Sequence, residues 1–584
     1  MLGKYLFIVT LTGLLMGCND PSAQTAVNNE KKVSSARTEK VPAKNYPELT
    51  SVSGSYLSGR FAQHNHDWQK ASKYLGHVIR EDSKNYELKK RSMVLAMGSG
   101  NPEEAIALAK ELHKAGRKNA LVQLFMALES FKSERYTEAV KYLDAMPEGG
   151  MADFINPLLK AWAKASQGKL AIKQMPENPV HKFHAALIAS YLGKDELLFQ
   201  IVDKALESTG ISIKDMESAG DIYSGAGLHE KALEAYSAVI KHNPDNEAVR
   251  NKLASLKAGK QTSRESGKID TTKEGLARAL YDMATILFSE YSDDSARVFS
   301  QMALYLDPEM DNARILIAAI DTRNNRYKEA IEQYRLISEE NNSWNEALKR
   351  SAKLMALVGR MNEAVSVLKE LVKESGDIDA QIQIGDIYRE KEKFEEALEA
   401  YDIALNMIKD EKEPAKYWNL YYARGMTLER LHRWGKAEQD LLKALEYEPE
   451  HPYIMNYLGY GWAEQGVNYE RALELLHKAA SIQPEDGYIS DSLGWLYYKM
   501  GEYQKAITYL EKSVELMPYD PVINDHLGDA YWQAGRRLEA EFQWRRARNF
   551  SEDENMMNKL REKLLSGLKE PAQIKEAKGG INEN

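Results

Sequence analysis

The chain has 584 residues, 28% of them charged and 43% hydrophobic, with a formal net charge of −9 and a single cysteine. One cysteine excludes an internal disulfide framework, a thiolate zinc cluster and a two-cysteine redox site, and the mild acidity argues against a general nucleic-acid binder. Proline at 17 and glycine at 36 are too sparse for a collagenous or low-complexity chain, so the bulk is expected to be soluble and folded.

Residues 1–17 read as a leader. Lys4 is their only charge, Tyr5 to Met16 form an apolar stretch, and the small residue Gly17 precedes Cys18. The stretch falls short of the roughly 20 apolar residues that span a bilayer, and it has the charged, apolar and small-residue zones of a secretory signal. The run Leu15-Met16-Gly17-Cys18 resembles a bacterial lipobox. That resemblance implies that Cys18 is lipidated on sulfur, becomes the mature N-terminus and is acylated there. Several acyl chains on one residue anchor stably where a single chain binds only marginally. In some bacteria Asp after the cysteine marks inner-membrane retention; here that place is Asn19, which favours the outer membrane. Residues 18–45 are polar and lack apolar periodicity, which predicts a disordered tether with an end-to-end distance of roughly 30 Å.

From residue 46 onward, alanines preceding an apolar helix face recur at nearly constant spacing. In the C-terminal half they are Ala296, Ala330, Ala364, Ala397, Ala437, Ala472, Ala506 and Ala540, with gaps of 34, 34, 33, 40, 35, 34 and 34. An insertion around Lys409 to Pro414 explains the 40, and one extra residue between Gly466 and Ala472 the 35. The N-terminal half is weaker: Ala71, Ala105 and Ala139 are 34 apart, as are Leu198 and Ala232, while Met151 to Met175 fits poorly and predicts helices with an irregular bend. Each period carries a large-small pair, an aromatic, a glycine turn, a small residue, an apolar residue and a closing proline, as in Leu493-Gly494, Tyr497, Gly501, Ala506, Leu510 and Pro518. Leu527-Gly528, Tyr531, Gly535, Ala540 and Trp544 repeat it, as do Leu458-Gly459, Trp462, Gly466, Ala472 and Pro484.

These periods closely resemble the tetratricopeptide repeat family. The resemblance implies an all-α fold, an α-solenoid of helix-turn-helix repeats forming two right-handed superhelical segments. Independently of the name, small residues at fixed places let two helices approach, Gly or Pro ends each helix, and stacked neighbours bury what no single pair can. The expected layout is an N-terminal array over 46–258, a polar linker over 259–272, a C-terminal array over 273–550, a capping helix over 551–570 and a disordered tail over 571–584.

Chemistry is sparse. No phosphate-cradling Gly-rich loop, helical His-Glu-x-x-His pair or Gly-x-Ser-x-Gly elbow occurs, so no catalytic residue, metal site or cofactor is assigned and a non-enzyme is expected. His64-Asn65-His66-Asp67 is the nearest thing to a metal cluster and reads as a solvated turn in the first repeat. Six of the nine tryptophans fall between Trp418 and Trp544. Trp462, Tyr497, Tyr531 and Trp544 occupy the large core positions of the repeat. The family's inner-face positions map instead to Tyr422, Met426, Tyr453, Asn456, Tyr457, Tyr460, Tyr488, Asp491, Trp495, Tyr498, Asp525, His526, Asp529 and Trp532. Exposed aromatics interleaved with Asn and Asp suit a groove for a protein or peptide, and the three Asp speak against a clamp for a carboxylate and for a basic or neutral segment.

The expectation is therefore a lipid-anchored, periplasm-facing adaptor in the envelope of a Gram-negative bacterium, with protein partners, a membrane anchor, no nucleic acid and no small-molecule substrate. The layout resembles tetratricopeptide lipoproteins that bind carboxy-terminal-processing proteases and present substrates to them. A second reading is a pilotin-like assembly component of a secretion, pilus or polysaccharide export machine.

Overall fold

Small residues facing large ones set the architecture. In the computed structural model every alanine of the C-terminal series is fully buried, and so are Ala71, Ala105, Ala139, Leu198 and Ala232. The structure describes residues 51–568 except 118, 174, 208–211, 244–245, 260–267 and 412–413. Cys18, the tether, most of the linker and the tail lie outside the described residues. Among those described there are 29 α-helices, two 3₁₀ turns and no strand, and no helix is long and apolar enough to cross a membrane. The fold is an α-solenoid of helix pairs, most helices being three to four turns long.

In several pairs the first helix opens on a side-chain cap: Asp486 accepts from the Tyr488 and Ile489 N–H groups, and Asp520 from those of Val522 and Ile523. The turn to the second helix passes through a left-handed residue, Gly501 at φ 80° or Gly535 at φ 83°. Within a pair the approach is close. A Cβ at Gly528 would lie 2.5 Å from the Trp544 ring, so only glycine admits that indole.

The helices form two compact units that divide between Val367 and Leu368, inside helix Met361–Ser375. This division lies about 100 residues beyond the polar segment at 259–272. The polar segment leads into helix Thr272–Ser289, which packs back onto Met151–Ala165 and Pro179–Tyr191, while Asp293–Leu306 packs onto Tyr86–Gly98 and Ala120–Lys132. The irregular segment supplies the reason. Among the described residues no helix lies between Met151–Ala165 and Pro179–Tyr191, and Trp162 on the former is fully buried against Gly275 of the returning helix.

The same return partly covers His66 and Asp67, while His64 and Asn65 stay exposed as the solvated reading has them. His66 is half-buried with its Nδ1 at 3.0 Å from Asp294, and Asp67 caps helix Trp68–Glu81 while lying 3.5 Å from Arg326. The hydrogen bond to Asp294 raises the His66 pKa above its ordinary 6.5, outweighing the opposing effect of burial. A raised histidine pKa contributes stability that is complete below 6.5 and lost as pH climbs through the folded value. We expect the first unit's thermal midpoint to fall between about pH 6 and pH 8, and the fall to be shallower in His66→Asn. Asparagine suits the left-handed backbone at this position (φ 54°). Identical slopes in the two proteins would remove His66 as the source.

The second unit stacks Ile378–Glu390 with Phe394–Met407, Trp418–Arg430 with Trp434–Tyr447, Pro452–Gln465 with Tyr469–Ile482, Gly487–Lys499 with Tyr503–Leu516, and Pro521–Gln533 with Arg537–Phe550; Glu554–Ser566 closes the stack. The insertion at 409–414 borders two 3₁₀ turns, Ile408–Asp410 and Pro414–Tyr417. Trp462 and Trp544 are fully buried and Tyr497 and Tyr531 nearly so, as their core positions require.

Candidate functional site

The first helices of successive pairs in the second unit present the sequence-derived residues, and two halves of different character result. Toward the N-terminal side the face is open. Tyr453 and Tyr488 are exposed, and Tyr422, Met426, Asn456, Tyr457 and Tyr460 are half-buried. Tyr422 and Tyr457 meet edge to face with centroids 6.0 Å apart, and the Tyr457 hydroxyl donates to Glu429 Oε2 at 3.0 Å. His451 joins them, 4.6 Å from Trp418 and 5.8 Å from Tyr453 between ring centroids. The Asn456 Oδ1 is shielded from solvent and accepts no hydrogen bond among the described residues. Burial pushes the phenols of Tyr422, Tyr457 and Tyr460 above their usual range, so all three remain protonated donors at neutral pH.

Toward the C-terminal side the face is filled by the chain itself, which corrects the expectation of exposed aromatics there. Trp495 is buried between Tyr498, at 4.6 Å, and His526, at 3.9 Å between centroids, and its Nε1–H donates to Glu464. His526 Nδ1 lies 3.0 Å from both Asp491 oxygens. Burial opposes a charge on His526, but Asp491, Asp525 and Asp529 overcome it and raise its pKa. Lys563 from the closing helix bonds Asp525 Oδ1 at 2.6 Å and the Asp529 oxygens at 2.7 and 2.8 Å, and Trp544 Nε1–H donates to Asp529 at 2.8 Å. Burial still holds the Asp529 carboxyl above the usual range. Trp532 is half-buried beside Trp544, 5.2 Å away, with the Arg537 guanidinium 3.8 Å over its ring.

The negative charge counted from Asp491, Asp525 and Asp529 is therefore answered internally. Sequence reasoning missed Glu429 and Glu464, although Glu429 lies seven residues after Tyr422 and Glu464 four after Tyr460, on the same helix stripe. Lys563 gave no such signal, because its partners lie in another helix. Among the described residues no group of three His, Cys, Asp or Glu side chains is placed to hold a metal ion.

Tetratricopeptide repeat family models match residues 382–415, 422–487 and 490–520. Residues 382–520 carry tetratricopeptide repeats. Along the whole chain the sequence is 23% identical over 522 residues to a TPR repeat-containing protein of Pseudomonas aeruginosa, covering 86% of each. It is also 26% identical over 167 residues to the human protein O-mannosyl-transferase TMTC1, covering 27% of this chain and 19% of that one. Among solved structures, the Cut9-Hcn1 hetero-tetramer of the APC/C overlaps 88% of this chain and 97% of its own at 12% identity and a TM-score of 0.37. Yeast Tom70 overlaps 88% and 95% at 13% identity and a TM-score of 0.28. The tetratricopeptide repeats hold the open half of the face, and the pair Pro521–Gln533 and Arg537–Phe550, beyond the matched residues, continues the same packing. Such a solenoid fits a protein-binding scaffold.

Proposed function

We propose that the chain is a non-enzymatic adaptor, anchored through lipid on Cys18 to the outer membrane of a Gram-negative envelope and facing the periplasm. It captures a protein partner on the open half of the second unit's inner face and presents it to an envelope protease. The observation that carries the capture is the cluster of half-buried Tyr422, Tyr457 and Tyr460 beside the unpartnered Asn456 Oδ1. Phenols combine large contact area with a hydrogen-bonding tip at low entropic cost, and a buried amide oxygen without a donor is satisfied by an arriving backbone N–H. Tethering two partners on one scaffold raises their effective concentration toward each other without any new contact between them.

The substitutions that test capture follow from burial. Trp495 and Trp532 are engaged within the unit, so replacing them would report folding. In the full chain, Tyr422→Ala with Tyr457→Ala and Tyr460→Ala is expected to weaken partner recovery by affinity purification about tenfold or more while helical circular dichroism is unchanged. Undiminished recovery places the binding surface elsewhere. In parallel, Cys18→Ser is expected to abolish incorporation of labelled fatty acid and release the protein from membranes; a membrane-bound, fully processed variant sinks the anchoring.

A further inference from the structure

Along the inner face of the second unit, the carboxylates of one first helix are met by a basic side chain from the second element after it, the next one on that face. Asp525 and Asp529 on Pro521–Gln533 hold the Lys563 ammonium of the closing helix. Asp491 on Gly487–Lys499 holds His526 of Pro521–Gln533, the first helix of the next pair, at 3.0 Å. Glu464 on Pro452–Gln465 holds Lys499 at 3.1 Å. Each basic group also lies against an indole: Lys563 is 5.9 Å from the Trp544 centroid, Lys499 is 5.2 Å from that of Trp495, and His526 stacks on Trp495. Three seats thus share one composition, a carboxylate beside an aromatic ring, and each is filled by a basic side chain, an ammonium in two and an imidazole in one.

Glu429 on Trp418–Arg430 is the next member of the series, and it breaks the pattern. The first helix of the next pair, Pro452–Gln465, offers it the Tyr457 hydroxyl, a neutral donor, and among the described residues no Lys, Arg or His makes an ion pair with it. The nearby guanidinium groups are engaged elsewhere: Arg430 lies 4.9 Å over the Phe394 ring, and Arg389 bonds Tyr401 and Asp386, each at 3.2 Å. The aromatic half of the seat is present in Tyr422, Tyr457 and Tyr460, the first two meeting edge to face.

We infer that the open half of the groove is a seat for one basic side chain, lysine or arginine, of a partner polypeptide, closed by Glu429 and walled by Tyr422, Tyr457 and Tyr460. This rests on the reading of that face as the partner-binding groove. A half-buried carboxylate with one neutral donor has unfilled lone-pair directions, and a charge-assisted bond to an incoming cation is about twice as strong as a neutral one. The surrounding ring faces attract the same cation. An acidic residue placed there would meet the fields of Glu429, Glu464 and Asp491, which already act together on the Tyr460 phenol.

The test uses the full chain and two capped peptides, Lys-Ala-Lys-Ala-Lys and its norleucine counterpart, titrated by calorimetry. The lysine peptide is expected to bind about tenfold tighter than the norleucine one. Glu429→Gln, which keeps an acceptor for Tyr457, is expected to erase that difference, while Glu474→Gln, at an exposed position of a second helix, leaves it intact. Absence of lysine-peptide binding, an unaffected Glu429→Gln, or an equal loss in Glu474→Gln overturns the seat. If both peptides bind alike and both are lost in Tyr422→Ala, the seat is overturned and the groove stands; if Tyr422→Ala changes neither, the groove falls with it.

Discussion

Arg297→Met is expected to destabilise the first unit by about 3–5 kcal/mol, the cost of leaving a buried charge without its partner. Arg297 and Asp321 are nearly inaccessible, with side chains 8% and 2% exposed. The guanidinium does two things at once: Nη1 bonds Asp321 Oδ1 at 2.5 Å and Nε donates to the Gly98 carbonyl at 2.8 Å. It therefore pins helix Asp293–Leu306 to Tyr86–Gly98, about 200 residues earlier in the chain. Asp321 Oδ2 has no hydrogen bond, and burial already holds this carboxyl above the usual range against the pull of Arg297. Without Arg297 the carboxyl should rise further. A raised carboxyl pKa penalises the folded state in full above that pKa and progressively less down to the unfolded value, so the deficit should shrink as the solution is acidified. Arg297→Met combined with Asp321→Leu is expected to recover most of the loss, since a buried pair exchanged for apolar groups of similar volume is often neutral or stabilising. Urea midpoints supply the numbers, and hydrogen exchange in Asp293–Leu306 localises the effect. A single variant as stable as the parent, or a double variant no better than the single, would show that the return of the chain is fastened elsewhere.

That return marks where sequence reading stopped. The repeat was legible because alanine at a helix crossing is required locally, and a local requirement recurs with the period: the whole series from Ala296 to Ala540 is fully buried. The core aromatics were legible for the same reason. The packing of Thr272–Ser289 and Asp293–Leu306 onto the first repeats was not, because its contacts join residues far apart and no spacing encodes them. The polar segment before residue 272 therefore read as a boundary between arrays, whereas the compact unit continues to Val367. At the candidate site the sequence names residues along each first helix but not their exposure. Asp491, Asp529 and Trp495 look free along their own helices, and what covers them comes from His526 and Lys563 on other elements. Tyr422 and Tyr457 stay half-buried because the rings around them, each other and His451, leave their half of the groove open.

The other large effect is expected at Trp544. Its indole is fully buried against Gly528, and its Nε1–H donates to Asp529 Oδ1 at 2.8 Å. Trp544→Ala removes that volume and the bond together, at about 3–5 kcal/mol. Trp544→Phe separates the two terms: most of the volume stays, the donor goes, and about 1–3 kcal/mol is expected for an acceptor left short of a partner. The lower end applies if Lys563, which already bonds both Asp529 oxygens, compensates. Gly528→Val alone should also destabilise, because its Cβ would meet the indole at 2.5 Å. Introduced into Trp544→Ala it should instead restore part of the loss by filling the space. Since stacked repeats contact only their neighbours, accelerated hydrogen exchange should be confined to Pro521–Gln533, Arg537–Phe550 and Glu554–Ser566, while Ile378–Glu390 keeps its protection. Release of the whole second unit as one block would show that the stack unfolds cooperatively. Failure of Gly528→Val to help Trp544→Ala would show that the cavity collapses once the indole is gone.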